Sequence, residues 1–116
     1  MKFMLLIHTD PSLIQGEAGQ ALIPELLAKH GKLAEALRAA GVDWSGARLQ
    51  PASTARTVRT DGDAQSLHDG PFAESKEELG GYYMVDAPDI EAALAWAKMI
   101  PMPGRGAVEV RPVQPM

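Results

Sequence analysis

At 116 residues, with 46% apolar and 22% charged positions, the chain has the size and balance of one folded domain rather than of a disordered segment. Its 15 acidic against 11 basic side chains, a formal charge of −4, argue against nucleic acid or an anionic membrane surface as a partner. The absence of cysteine removes disulfides, thiolate metal sites and cysteine nucleophiles together.

The opening Lys2-Phe3-Met4-Leu5-Leu6-Ile7-His8 reads as a first strand over residues 2–8, stopped by Asp10-Pro11. Its apolar run, Phe3 to Ile7, is shorter than the roughly 7 to 15 residues of a secretory h-region. No run approaches the roughly 18 apolar residues of a membrane span, so a cytoplasmic, soluble protein without membrane contact is expected. A loop carrying Gly16 and Gly19 follows. From about residue 21 to 40 the period becomes helical, with Ile23, Leu26, Leu27, His30, Leu33, Ala34 and Leu37 at three- and four-residue steps. Pro24 places the helix start near Ile23, and Gly41 is suited to its stop.

Strands are expected at 43–49, at 54–60 and, after an Asp61-Gly62 turn, near 65–68. A charged crossing at 74–78 leads through Gly80-Gly81 into a strand at 81–85. Asp89 is placed to cap a second helix carrying Ile90, Ala93, Leu94 and Ala97, with Pro101 beyond its end. Val108 and Val110 share one face of a last strand, and Arg111 on the other is expected to pair with Glu109 or with a carboxylate of the 74–78 crossing. This β-α-β-β-β-β-α-β order fits an α+β, ferredoxin-like sandwich: an antiparallel sheet, two helices on one face and an extra hairpin. The first strand is apolar on both faces, Phe3/Leu5/Ile7 and Met4/Leu6, whereas two helices cover one. A second copy of the chain is the simplest cover for the other, so a homodimer is expected.

The block Asp69-Gly70-Pro71-Phe72-Ala73-Glu74-Ser75-Lys76-Glu77-Glu78-Leu79-Gly80-Gly81-Tyr82 resembles the signature of the YCII-related proteins, in particular their DGPF branch. The opening strand, the helix end Leu37 to Val42 and the closing Val108 to Val113 are similar to that branch as well. The resemblance spans nearly the whole chain and implies a dimeric α+β barrel of ferredoxin-like subunits. That superfamily hosts small-molecule oxygenases, isomerases and lyases, so fold alone selects no reaction. It further implies a His–Asp pair, matched here by Asp10 after the first strand and His30 on the first helix. A neighbourhood with extracytoplasmic-function sigma factors, also implied by the branch, points to a regulatory role.

His30 lies on the apolar stripe of its helix and is read either as a hydrogen-bonded core histidine or as an acid–base group. Asp10 either initiates the turn at Pro11 or orients His30. Asp69, Glu74 and Lys76 form a turn and solvated face, or else a pocket rim; His8 is a further candidate for ligand contact. Tyr82, Tyr83, Trp44 and Trp96 are read as packing residues. The spacing of His8, His30 and His68 matches no ligand motif, and neither metal nor cofactor is expected. Two functions follow: an enzyme acting on a small organic molecule by His-mediated proton transfer, of lyase or isomerase type, or a non-catalytic ligand-binding or regulatory module.

Overall fold

The computed structural model describes residues 1–116. Strand β1 (Lys2–Thr9) buries Phe3, Leu5 and Ile7 and leaves the alternate Met4 and Leu6 partly exposed, as its period-two pattern requires. The segment expected as a loop is instead a 3-10 turn (Pro11–Ile14) followed by a short helix α1 (Gly16–Gln20). The two pack so closely that a Cβ at Gly19 would stand 2.5 Å from the Ile14 carbonyl carbon. Five helical residues are too few to show a 3.6-residue period, which is why composition read as loop.

Helix α2 (Ile23–Ala39) carries Pro24 in its first turn and ends in a Schellman closure. The Val42 N–H donates to Leu37 O and the Gly41 N–H to Arg38 O, both at 3.0 Å, around Gly41 at φ 70°. Strand β2 (Trp44–Arg48) follows, then a 3-10 turn at Ala52–Thr54 that takes the first residue of the strand expected from 54. β3 (Arg56–Asp61) and β4 (Ala64–Asp69) form a hairpin whose turn is Gly62–Asp63, one residue on from the expected pair. Gly62 supplies φ 61° at the first turn position. β5 (Glu78–Asp86), α3 (Ile90–Ala97) and β6 (Gly106–Pro112) complete the chain, and Asp89 caps α3 by accepting from the Ala92 N–H at 2.9 Å.

The main sheet runs β2-β5-β1-β6 and every pairing is antiparallel; β3 and β4 form their own two-stranded sheet. This is the ferredoxin-like α+β arrangement with an added hairpin. Leu33 and Leu37 of α2 and Ala93 and Ala97 of α3 join Phe3, Leu5, Ile7, Tyr83 and Val85 in one core, so both helices cover the same sheet face. The shortest extent, 17 Å, leaves room for a sheet and one helix layer and no third layer. The opposite face shows Met4, Leu6, Tyr82 and Met84, all partly exposed. No helix is long and apolar enough to cross a membrane.

The register between β1 and β5 shifts at Ile7/His8: Ile7 pairs with Gly81 and His8 with Leu79, leaving Gly80 as the extra residue of a bulge.

Leu37 is 1% exposed whereas Leu27, on the same helix, is 53% exposed. Leu37→Ala should therefore lower unfolding free energy by about 2–5 kcal/mol in urea titrations. Leu27→Ala should change it by about 0.5 kcal/mol or less, and equal losses would contradict this placement of the core.

Candidate active site

The N-terminal half of α2 stands over a part of the sheet thinned by two glycines. On the helix-facing surface, Gly46 of β2 pairs with Tyr83 and Arg48 pairs with Gly81 of β5. A Cβ at Gly46 would meet Tyr82 O at 2.8 Å and the Tyr83 ring at 3.1 Å, and one at Gly81 would meet Ala47 O at 2.9 Å. Across the gap, α2 presents Gly31 and Ala34. Small residues on both walls leave a cavity of about 430 Å³, within the range of ligand pockets. Ile7, Ile14, Ile23, Leu26, Trp44 and Pro103 supply much of its apolar lining.

His30 enters this cavity from α2, and its Nδ1 lies 2.6 Å from the Tyr83 hydroxyl of β5. The two rings are 16° from parallel with centroids 5.8 Å apart, and Trp44 flanks Tyr83 at 5.7 Å. Burial lowers the His30 pKa below its ordinary value, and the positive charge of Arg48 lowers it further. Burial also raises the Tyr83 hydroxyl above its ordinary value. Both groups are therefore neutral at neutral pH and share one short hydrogen bond. That bond has two proton arrangements. With Nδ1 protonated, His30 donates to Tyr83 and Nε2 is a free base. With Tyr83 donating to Nδ1, Nε2 carries the proton and is a hydrogen-bond donor.

Asp10 is nearly fully buried, 3% exposed, but not in this cavity. Its Oδ1 accepts from the Ser12 N–H at 3.0 Å and the Ser12 hydroxyl at 2.7 Å. Its Oδ2 faces Arg105 at 3.4 Å and Lys76 at 3.9 Å. The Ser12 hydroxyl, then the Ser12 N–H, then Arg105 and Lys76 lower its pKa against the effect of burial. The expected orientation of His30 by Asp10 is thus corrected: the aspartate is engaged by its own turn and two cations, and Tyr83 partners the histidine.

The remaining candidates are dispersed. His8 lies on the opposite sheet face, 3.6 Å from Glu109. Asp69 pairs with Arg56 across the hairpin at 3.2 Å, and Gly70 beside it takes φ 96° while its N–H donates to Ala55 O. Glu74 and His8 border a second, shallower groove under the signature loop, and Lys76 ties that loop to Asp10. No group of three or more His, Cys, Asp or Glu is arranged to hold a metal.

Tyr83 and Arg48 were missed as site residues. Tyr83 shares side-chain parity with Val85, which marked it as core, and its partner is 53 residues away. Arg48 shares parity with Trp44 and Gly46, a signal that acquires meaning only once the sheet register is known.

Because native His30 resists protonation, the unfolded chain binds more protons between the lowered native pKa and about 6.5. Stability contributed by neutral His30 is therefore lost as pH falls through that window. His30→Gln should lose less stability than the wild type between about pH 7 and about pH 5 in denaturant titrations. Identical losses would exclude a buried neutral imidazole.

The YCII-related domain model matches residues 1–116. An uncharacterised protein of Rhizobium meliloti (strain 1021) is 33% identical over 118 aligned residues, covering 97% of this chain and 92% of the relative. With the model match spanning every element from β1 to β6, the chain belongs to the YCII-related domain family.

Proposed function

We propose that the chain is an enzyme that moves a proton on a small organic molecule, with His30 as the acid–base group and Tyr83 as its proton partner. The observation that carries this reading is the 2.6 Å His30–Tyr83 hydrogen bond inside an apolar cavity. A neutral imidazole held in such surroundings can take up a proton from a bound molecule, as general acid–base catalysis needs. The chemistry that fits is proton removal beside a carbonyl. His30 Nε2 takes the proton, the electron pair moves onto the carbonyl oxygen, and the resulting enolate is polarised by the Tyr83 hydroxyl. Return of the proton at another carbon gives an isomerisation; departure of a β-leaving group gives an elimination.

The test is deuterium incorporation from heavy water into a panel of enolisable ketones and keto acids, followed by NMR. The wild type should exchange at least one member of the panel. His30→Gln should slow that exchange by about 100-fold or more, and Tyr83→Phe by a smaller factor. A folded His30→Gln protein with undiminished exchange would reduce the cavity to a binding pocket without catalysis.

We also read the Asp69-Gly70-Pro71-Phe72 run as placing the chain in the DGPF branch, and the uncovered sheet face as a dimer surface. Met4, Leu6, Tyr82 and Met84 form an apolar strip along the two central strands, flanked by the Glu109–Arg111 pair. An apolar sheet face of this kind favours a partner with the same strip. Sedimentation equilibrium should return twice the chain mass, and Leu6→Glu together with Met84→Glu should return the monomer. A monomeric wild type would overturn the dimer.

A further inference from the structure

We infer that Arg48 is an anion anchor at the mouth of the His30 cavity, and that the ligand is a compact carboxylic acid whose apolar body fills the cavity. This rests on reading the cavity as a substrate site.

Arg48 ends β2 on the helix-facing surface, opposite the side-chain-free Gly81, and is exposed at the cavity wall. It differs from the other arginines near strands. Arg56 pairs with Asp69, Arg105 with Asp10 and Arg111 with Glu109, while Arg59 lies 5.0 Å over the Phe72 ring. Arg48 has no carboxylate within 4.0 Å and no side-chain hydrogen bond. No Asp or Glu lines the cavity, so its one fixed charge is positive.

A lone guanidinium beside an apolar wall is matched by a ligand with one planar negative group and a hydrocarbon remainder. The guanidinium fork pairs bidentately with a carboxylate. A phosphate dianion would leave one charge uncompensated there, because no second cation lines the cavity. The apolar wall, with Trp44 and Tyr83 at its inner end, suits a ring or short branched chain. An acid held this way presents the carbons next to its carboxylate toward His30, which is where proton transfer is proposed.

The anchor also couples binding to protonation. The titratable and charged side chains lining the cavity with His30 are Tyr83 and Arg48; the Tyr82 phenol lies on the opposite sheet face. The Arg48 charge depresses the His30 pKa, so a carboxylate that neutralises it lets the imidazole pKa rise on binding.

The probes are benzoate and phenylacetate against their neutral amides, benzamide and phenylacetamide. They are titrated into the intact chain while the His30 imidazole and Trp44 indole proton signals are followed by NMR. The acids should bind about tenfold or more tightly than the amides, and should raise the His30 titration midpoint. Arg48→Met should bring the acid-to-amide ratio to about unity, whereas Arg38→Met, an exposed change at the far end of α2, should leave it intact. Equal binding of acids and amides, or an unchanged ratio in Arg48→Met, overturns the anchor while leaving the His30 cavity as a substrate site. Failure of every probe, charged or neutral, to shift His30 or Trp44 overturns both readings.

Discussion

The site depends on two missing side chains. Gly46, opposite Tyr83, and Gly81, opposite Arg48, lie on a diagonal of the helix-facing surface of β2 and β5, and neither position has space for a methyl group. Gly46 lets the Tyr83 ring settle against the neighbouring strand, which aims its hydroxyl at α2 rather than into the core. Gly81 lowers the floor beside Arg48. Because the sheet offers nothing to fill the space, α2 packs at its C-terminal half through Leu33 and Leu37 and stands clear at its N-terminal half. One helix thereby divides the labour. Its last turns hold the fold together, and its first turns roof a cavity.

Two ionisable groups near one another in sequence logic end up in opposite environments. Asp10 is buried but surrounded by donors, Ser12 first and then Arg105 and Lys76, so its charged form is favoured. His30 is half-buried among apolar side chains near a cation, so its neutral form is favoured. The first environment is structural: a single carboxylate joins the end of β1, the 3-10 turn, the signature crossing through Lys76 and the loop before β6 through Arg105. The second is chemical, because neutrality leaves a ring nitrogen free to accept or release a proton. The aspartate's short side chain strongly prefers a partner two residues on, and that local bond takes precedence over any long reach to α2.

What the sequence made legible was local. The alternation in β1, the Schellman stop at Gly41 and the Asp89 cap each rest on spacings of a few residues. The inward placement of His30 followed from its helical period. The identity of its partner did not follow, since Tyr83 meets His30 only through the tertiary placement of α2 over β5. The cavity was illegible for a related reason. Glycines in strands read as weak points or turn signals, and their effect appears only when the β2–β5 register sets Gly46 and Gly81 on a diagonal of one face. In the signature block, two of the charged side chains make local ion pairs. Its Asp69 and Lys76 hold neighbouring loops, and Phe72 remains 71% exposed with Arg59 against it.

The bulge at Gly80 has a consequence for how the chain tolerates changes in length. Beyond Gly80, side chains on β5 change sides relative to an unbroken strand, so Glu78 comes opposite Thr9 and its carboxylate reaches the Ala52 N–H at 3.1 Å. Losing Gly80 would remove the bulge and leave a regular ladder with the same pairs, His8 with Leu79 and Thr9 with Glu78. The Gly62–Asp63 turn carries no counting constraint, since β3 and β4 pair only with each other. Changes in length should therefore accumulate at the hairpin tip among relatives, and within β5 a single-residue loss should fall at the bulge.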